Sequence, residues 1–292
     1  PNANDAIAIR AFSDGNVIVH GQAHGDFRGI ELGGEVGGGQ VFVSDTGVVT
    51  SSRDSAIVNV STGQDGDTGD FTVLNNGEIV SFDGRFTIHA EPGLVGVNGE
   101  DPTNAHYHSV ENHGLISNLN VDRQSNFPIA IYIENPGRFT KVVNGETGII
   151  SMANNTNNGT AIQVGNELFG EFDDDQTDIL IENHGQVLGG AIAYDSRNTA
   201  NDHVINTGLM TGRVNLGEFN DFMRNSGLVD DSVLLGNGHD EFRGYGGTVT
   251  GELSLGDGDD TAYVDQDDIV ISDGGGEDLV YARGDLRGKS GS

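Results

Sequence analysis

The sequence predicts an all-β protein, a right-handed parallel β-helix or β-solenoid of about ten or eleven coils. Three observations predict it. Short aliphatic strands recur along the whole chain, one turn sequence of the form Asn-x-Gly recurs between them, and glycine is abundant where proline is scarce, 46 against 5 in 292 residues. Glycine at that level without proline is not collagen-like, and 35% hydrophobic residues in regular bursts are not the composition of a disordered chain.

The strands come first. They read Ala6-Ile7-Ala8-Ile9, Gly29-Ile30-Glu31-Leu32, Ala56-Ile57-Val58, Phe86-Thr87-Ile88, Ala130-Ile131-Tyr132-Ile133, Ala161-Ile162-Gln163-Val164 and Ala191-Ile192-Ala193-Tyr194. Each is too short to stand as an independent hairpin, but short strands stacked at a fixed period bury one another. Their spacing runs from 23 residues (Ile7 to Ile30) to 43 (Ile88 to Ile131) and contracts to about 20 beyond Ile192, as coils with variable loops followed by bare coils would give. At an inter-strand spacing of about 4.8 Å the stack would be about 50 Å long. No long segment holds a helical period.

The turns come next. They are Asn75-Asn76-Gly77, Asn112-His113-Gly114, Asn183-His184-Gly185, Asn206-Thr207-Gly208 and Asn225-Ser226-Gly227, each followed within two residues by an aliphatic one, with Asp45-Thr46-Gly47 and Asn144-Gly145-Glu146-Thr147-Gly148 as degenerate copies. Asn and Gly tolerate the backbone conformations tight turns need. A β-sandwich also has short strands and such turns, but it has no reason to repeat one turn sequence, which favours the solenoid.

From residue 214 a sharper motif is added. Val214-Asn215-Leu216-Gly217-Glu218-Phe219-Asn220-Asp221 is followed by Leu235-Gly236-Asn237-Gly238-His239-Asp240, then Leu255-Gly256-Asp257-Gly258-Asp259-Asp260, then Asp273-Gly274-Gly275-Gly276-Glu277-Asp278. Asp221, Asp240, Asp260 and Asp278 stand 19, 20 and 18 residues apart, one coil each. One continuous solenoid is therefore expected, with variable loops over 1–213, Gly-Asp coils over 214–282 and a tail over 283–292.

These turns resemble the Gly-Gly-x-Gly-x-Asp-x-aliphatic nonapeptide of RTX-type (hemolysin-type) calcium-binding repeat proteins. The resemblance covers residues 214–282, and it implies Ca²⁺ held by Gly236, Asn237, Gly238, Asp240, Gly256, Asp257, Gly258, Asp259, Asp260, Gly274, Gly276, Asp278 and Asp221. The chemistry agrees: glycines let carbonyl oxygens turn inward, and aspartates of stacked coils supply charge to a shell of oxygens. The residue two after each Asp (Phe242, Ala262, Val280) is expected in the core. The chain departs from the family pattern in two ways. The first glycine is replaced by Leu235, Leu255 or Asp273, and the copies come once per coil rather than in nine-residue tandem. One main row of sites is expected, with an extra site at Asp265-Gln266-Asp267-Asp268 left open, and Phe219 in a glycine position makes the Asp221 turn the weakest. The coils also look like passenger regions of autotransporter-like and type I-secreted bacterial surface proteins.

Charge fits this reading. Asp plus Glu number 45 against 14 Lys plus Arg, a formal net charge of −31, which disfavours nucleic acid and anionic membrane surfaces as partners and favours bound hard cations. Cysteine is absent, excluding disulfides and thiolate chemistry, and no apolar run is long enough to insert in a membrane. An extracellular, bacterial-surface location is expected. So is self-association or membership of a longer parent chain, because open solenoid ends expose strand edges.

Catalytic signals are weaker. His106 and His108 flank Tyr107 at period two, with His113 nearby and Tyr132 and Arg138 one coil on. On a solenoid wall such a cluster could take a proton next to a uronate, the alternative reading being a polysaccharide lyase or epimerase acting on carbohydrate. The plain alternative is that a histidine beside Asn and Gly, as at His113 and His184, is a turn residue. Asp65-Gly66-Asp67-Thr68-Gly69-Asp70 looks like the start of an EF-hand loop but has Asn76 where a bidentate Glu belongs. The acidic run Glu171 to Asp178 reads as a loop or a cation site, and Arg283-Gly284-Asp285 as a chance tripeptide in a tail.

Overall fold

A computed structural model describes residues 6–12, 15–34, 37–61, 68–90, 107–120, 127–134, 139–152, 158–165, 178–197, 200–265, 270–272 and 274–284. Among them there are only strands and turns, and every strand pairing is parallel. The described strands lie on three faces, and the first nine coils contribute to all three. The second face is an eleven-stranded sheet running from Gly15–Val19 through Tyr107–Asn112, Asn201–Asn206 and Phe222–Asn225 to Leu279–Arg283, one strand per coil. The first and third faces are joined into one eighteen-stranded sheet, because the long strands Gln186–Ser196 and Leu209–Asn215 bend from the third face into the first. The protein is thus a parallel β-solenoid of eleven coils, and its sheets pass residue 214 without a break.

Three apolar columns fill the interior. On the first face Ile57, Ile88, Ile131, Ile162, Tyr194, Val214, Val233 and Leu253 stack in register. On the second, Val41, Val73, Val110, Val142, Ile181, Val204, Met223, Phe242 and Ala262 do so. On the third, Val49, Ile79, Ile116, Ile150, Val187, Met210, Val229 and Val249 complete the triangle. All are buried, and each Val, Ile, Leu, Met or Phe among them contributes about 1.5–3 kcal/mol. Phe242 and Ala262 enter the core as expected, but Val280 is 45% exposed because it lies on the last described coil and nothing stacks on it there.

The corners differ. Between second and third faces the chain takes two or four residues in each of the nine coils whose third face is described, the Asn-x-Gly turns and their variants. Between first and second faces it takes from two residues (Phe12 to Gly15) to sixteen (Ala90 to Tyr107). The short corner is pinned by a ladder of buried asparagines. The amide Nδ2 of Asn75 donates to Asn112 Oδ1 at 2.8 Å, Asn112 to Asn144 at 2.9 Å, Asn144 to Asn183 at 2.9 Å, Asn183 to Asn206 at 2.8 Å, and Asn206 to Asn225 at 2.8 Å. Each Nδ2 has a second proton, and Asn144 gives it to the carbonyls of Gly148 and Gln186, both at 3.1 Å. An amide both donates and accepts, so the ladder closes on itself with no charge.

Candidate metal centre

The Gly-Asp turns form the first-to-second corner of the last coils, and glycine is required there for two reasons. Gly256 and Gly258 have φ of 100° and 138°, and a Cβ on either would lie 1.7 or 1.6 Å from the carbonyl oxygen of the glycine one coil earlier. The stacked turns approach too closely for any side chain. Phe219 holds the same place in the first copy and is the only non-glycine residue with positive φ, 78°, among the described residues.

An aspartate stands immediately before the strand that follows each turn, and those at 221, 240 and 260 are turned inward. Each one's Oδ1 accepts the backbone N–H of the equivalent residue one coil earlier: Asp221 from Asp202 at 2.7 Å, Asp240 from Asp221 at 2.8 Å, Asp260 from Asp240 at 2.8 Å, and Asp278 from Asp260 at 2.9 Å. One position outward a second ladder runs the opposite way. There Asn201 Oδ1 accepts the N–H of Asn220 at 3.0 Å, Asn220 Oδ1 that of His239 at 2.7 Å, His239 Nδ1 that of Asp259 at 3.0 Å, and Asp259 Oδ1 that of Glu277 at 2.8 Å. Every turn is thereby tied to both its neighbours by side chains as well as by the sheet.

The inner ladder leaves a remainder. Asp221, Asp240 and Asp260 are at most 2% exposed, and the Oδ2 atom of each is buried with no hydrogen-bond donor. A carboxylate accepts on both oxygens and donates on neither, so a stack of them cannot close on itself as an amide stack does. Burial pushes the Asp221 carboxyl up to about 11, and the Asp202 charge adds to the rise. Burial likewise pushes Asp240 up to about 7, against the Asp221 N–H, which favours the charged form. Asp260 is raised by burial and then by the charge of Asp278. Orphaned carboxylate oxygens beside a carbonyl-rich turn suit a hard oxygen-seeking cation.

Of the residues the sequence singles out, Asp221, Asp240, Asp260 and Asp278 fall in one column, and the glycines form the turns beside it. Asn237, Asp257 and Asp259 face outward and are exposed; Asn237 Nδ2 donates to the Glu218 carboxylate at 3.0 Å. No three acidic or histidine side chains converge on one point among the described residues, so side chains alone supply no complete ligand shell. Asp202 was missed. It heads the column one coil before Asp221, and its 19-residue distance from Asp221 equals that from Asp221 to Asp240.

Among the described residues, His108 and Tyr132 of the proposed histidine cluster are not brought together. His108 lies on the second face at the column position that Asp202 takes later, 3% exposed, its ring 6.4 Å from that of Phe71. Tyr132 lies on the first face, stacked instead on His89 (5.1 Å) and Phe86 (4.8 Å), with His89 Nε2 3.2 Å from Glu134 Oε2. His106, Arg138, residues 65–67, 171–177 and 266–268, and Asp285 lie outside the described residues. The comparisons with known proteins add no name to this geometry: no protein-family model, no curated protein and no solved structure matches the chain.

Proposed function

We propose that the chain is a non-enzymatic, calcium-stiffened structural or adhesive module of a secreted bacterial surface or matrix protein. The observation that supports it is the column of buried carboxylates at Asp221, Asp240 and Asp260, each with an oxygen that no protein donor reaches. Such a column is costly unless protons or cations accompany it. A divalent cation with flexible oxygen coordination fits the donors present, and the RTX-like spacing of the turns makes Ca²⁺ the first choice. Calcium would be held by these aspartates together with carbonyls of the glycine turns and would neutralise part of the −31 charge. Everything else that is strongly patterned, the aliphatic columns and the asparagine ladder, serves architecture.

Chelator titration of the full chain, followed by circular dichroism and thermal melting, tests this reading. Calcium is expected to raise the melting temperature and a chelator to lower it. Indifference of both spectrum and melting to chelator would remove the metal assignment. The carbohydrate-active reading loses its motivating cluster, since His108 is buried in the interior and Tyr132 is on another face.

A further inference from the structure

We infer that the chain carries a lateral contact for a second copy of itself, in which a stripe of arginines and tyrosines on the second face of one copy meets the acidic edge between third and first faces of the next. The inference rests on the structural-module reading above, but not on which cation fills the aspartate column.

Three residues after the column aspartate of each coil an outward side chain stands on the second face. In the last four coils it is Arg224, Arg243, Tyr263 and Tyr281, paired in register. Phe222, Tyr245 and Arg283 flank this row. Arg243 lies 5.2 Å from the centre of the Phe222 ring and 5.9 Å from that of Tyr263, Arg283 lies 5.9 Å from that of Tyr245, and Tyr263 stacks on Tyr281 at 5.0 Å. Even so, Tyr245 is 41% and Tyr281 49% exposed. Side chains that hold one another are already ordered, so little rotamer freedom is lost when a partner covers them, and Tyr and Arg are the residues that anchor protein interfaces. Cross-strand pairing accounts for the stacking but not for the charge. The chain has 45 acidic residues against 14 Lys plus Arg, yet the exposed Arg224 and Arg283 meet no carboxylate among the described residues. Three arginines stand on the stripe against Glu241 and Asp265, so it is positive on a chain of net charge −31.

The complement lies on the same coils. Where the third face returns to the first, Asp230 and Asp231 in the coil of Arg224, and Glu252 in the coil of Arg243, form an edge that holds no cation in either coil. Asp230 accepts from Thr250 Oγ1 at 3.0 Å and Asp231 from the Ser232 N–H at 2.7 Å, which fixes both carboxylates while they stay exposed. Arg213, one coil earlier on this edge, is level with the uncharged Ile205. In a three-faced coil this edge is the one opposite the second face. Moving a copy sideways, with no rotation, therefore sets the edge of one against the stripe of the next with their coils level. Like charge elsewhere on the two copies opposes other approaches. Such a contact is heterologous and does not close, so it generates rows of parallel solenoids. At ordinary strand spacing the stripe covers about 300 Å². One contact is therefore weak, and rows form where copies are concentrated or anchored to one surface.

Sedimentation velocity on the full chain over a concentration series in calcium buffer tests the contact, together with a stripe variant, Arg224→Ala with Arg243→Ala, and an edge variant, Asp230→Asn with Asp231→Asn. All four side chains are exposed, and circular dichroism checks that each variant keeps the fold. The native chain is expected to grow into ever longer species as its concentration rises, and each variant alone to associate about tenfold more weakly or not at all. Mixed together, the variants are expected to form pairs and nothing longer, because the intact stripe of one meets the intact edge of the other. An edge variant that associates like the native chain, or folded variants that do not pair when mixed, would overturn the contact. Should the stripe variant misfold, the edge variant decides alone. A native chain that binds calcium yet stays monomeric overturns the contact and leaves the metal reading intact. Retention of a monomeric native chain, but not of the stripe variant, on immobilised polysaccharide would give the stripe to a glycan and overturn the contact as well.

Discussion

Two columns of short polar side chains run through this solenoid, and they differ by one atom per residue. The asparagines from Asn75 to Asn225 pin the corner between second and third faces, and the aspartates from Asp202 to Asp278 pin the corner between first and second. Both columns are buried, except at Asp278 on the last described coil, and both repeat once per coil. An amide gives a proton to one neighbour and takes one from the other, so any number of asparagines can stack without outside help. A carboxylate can only take, so its column is held on one oxygen and left open on the other. The N-terminal coils are therefore a self-sufficient stack at their corner, while the C-terminal coils need a cation or protons.

The largest effect is expected from a charge placed in the amide column. Asn144→Asp would face the Oδ1 of Asn183 without a donor and is expected to cost about 3–5 kcal/mol in urea unfolding, with no recovery on adding calcium. Next, pH should act on the aspartate column alone. A carboxyl held at about 7 in the fold and near 3.8 in the unfolded chain keeps a proton in the fold that the unfolded chain has released. Stability therefore falls as pH rises between those values, at about 1.4 kcal/mol per pH unit for each such group. Without calcium the melting temperature is expected to drop from pH 5 to pH 8, and with calcium the drop should flatten. The third test makes the columns alike: Asp221→Asn, Asp240→Asn and Asp260→Asn together should abolish the calcium-induced rise in melting temperature and raise cation-free stability at pH 8 by about 1–3 kcal/mol, the scale of an unsatisfied buried group. The smallest effect is expected at Phe219, whose left-handed backbone costs roughly 1 kcal/mol. Phe219→Gly removes that strain and some packing, so cation-free stability should move by under about 1 kcal/mol while the calcium-induced rise in melting temperature grows.

The solenoid and its coil number were legible because the Asn-x-Gly turns repeat at the corner of fixed length, where a ladder tolerates no variation. The aspartate column was legible only where glycines accompany it, from Asp221 onward; Asp202 has the spacing but not the glycines. His108 was assigned to a surface because period two says that alternate residues share a face but not which face is inward. Its own strand held the answer, since Val110 and Asn112 share its parity and both belong to buried columns. Tyr194 read as one more apolar residue ending an aliphatic strand, and only the third dimension brings its hydroxyl to Asp202, eight positions on.

The corner between first and second faces varies from two to sixteen residues in the early coils and becomes a fixed glycine turn in the late ones. A corner without a side-chain ladder places no demand on the length of chain that crosses it. The same place on the coil is thus either a port for spliced sequence or a cradle for an ion, and the aspartate decides which. For anyone building on this scaffold, foreign peptides belong at that corner in the coils before Asp202, where the register of the stack does not depend on what the loop contains.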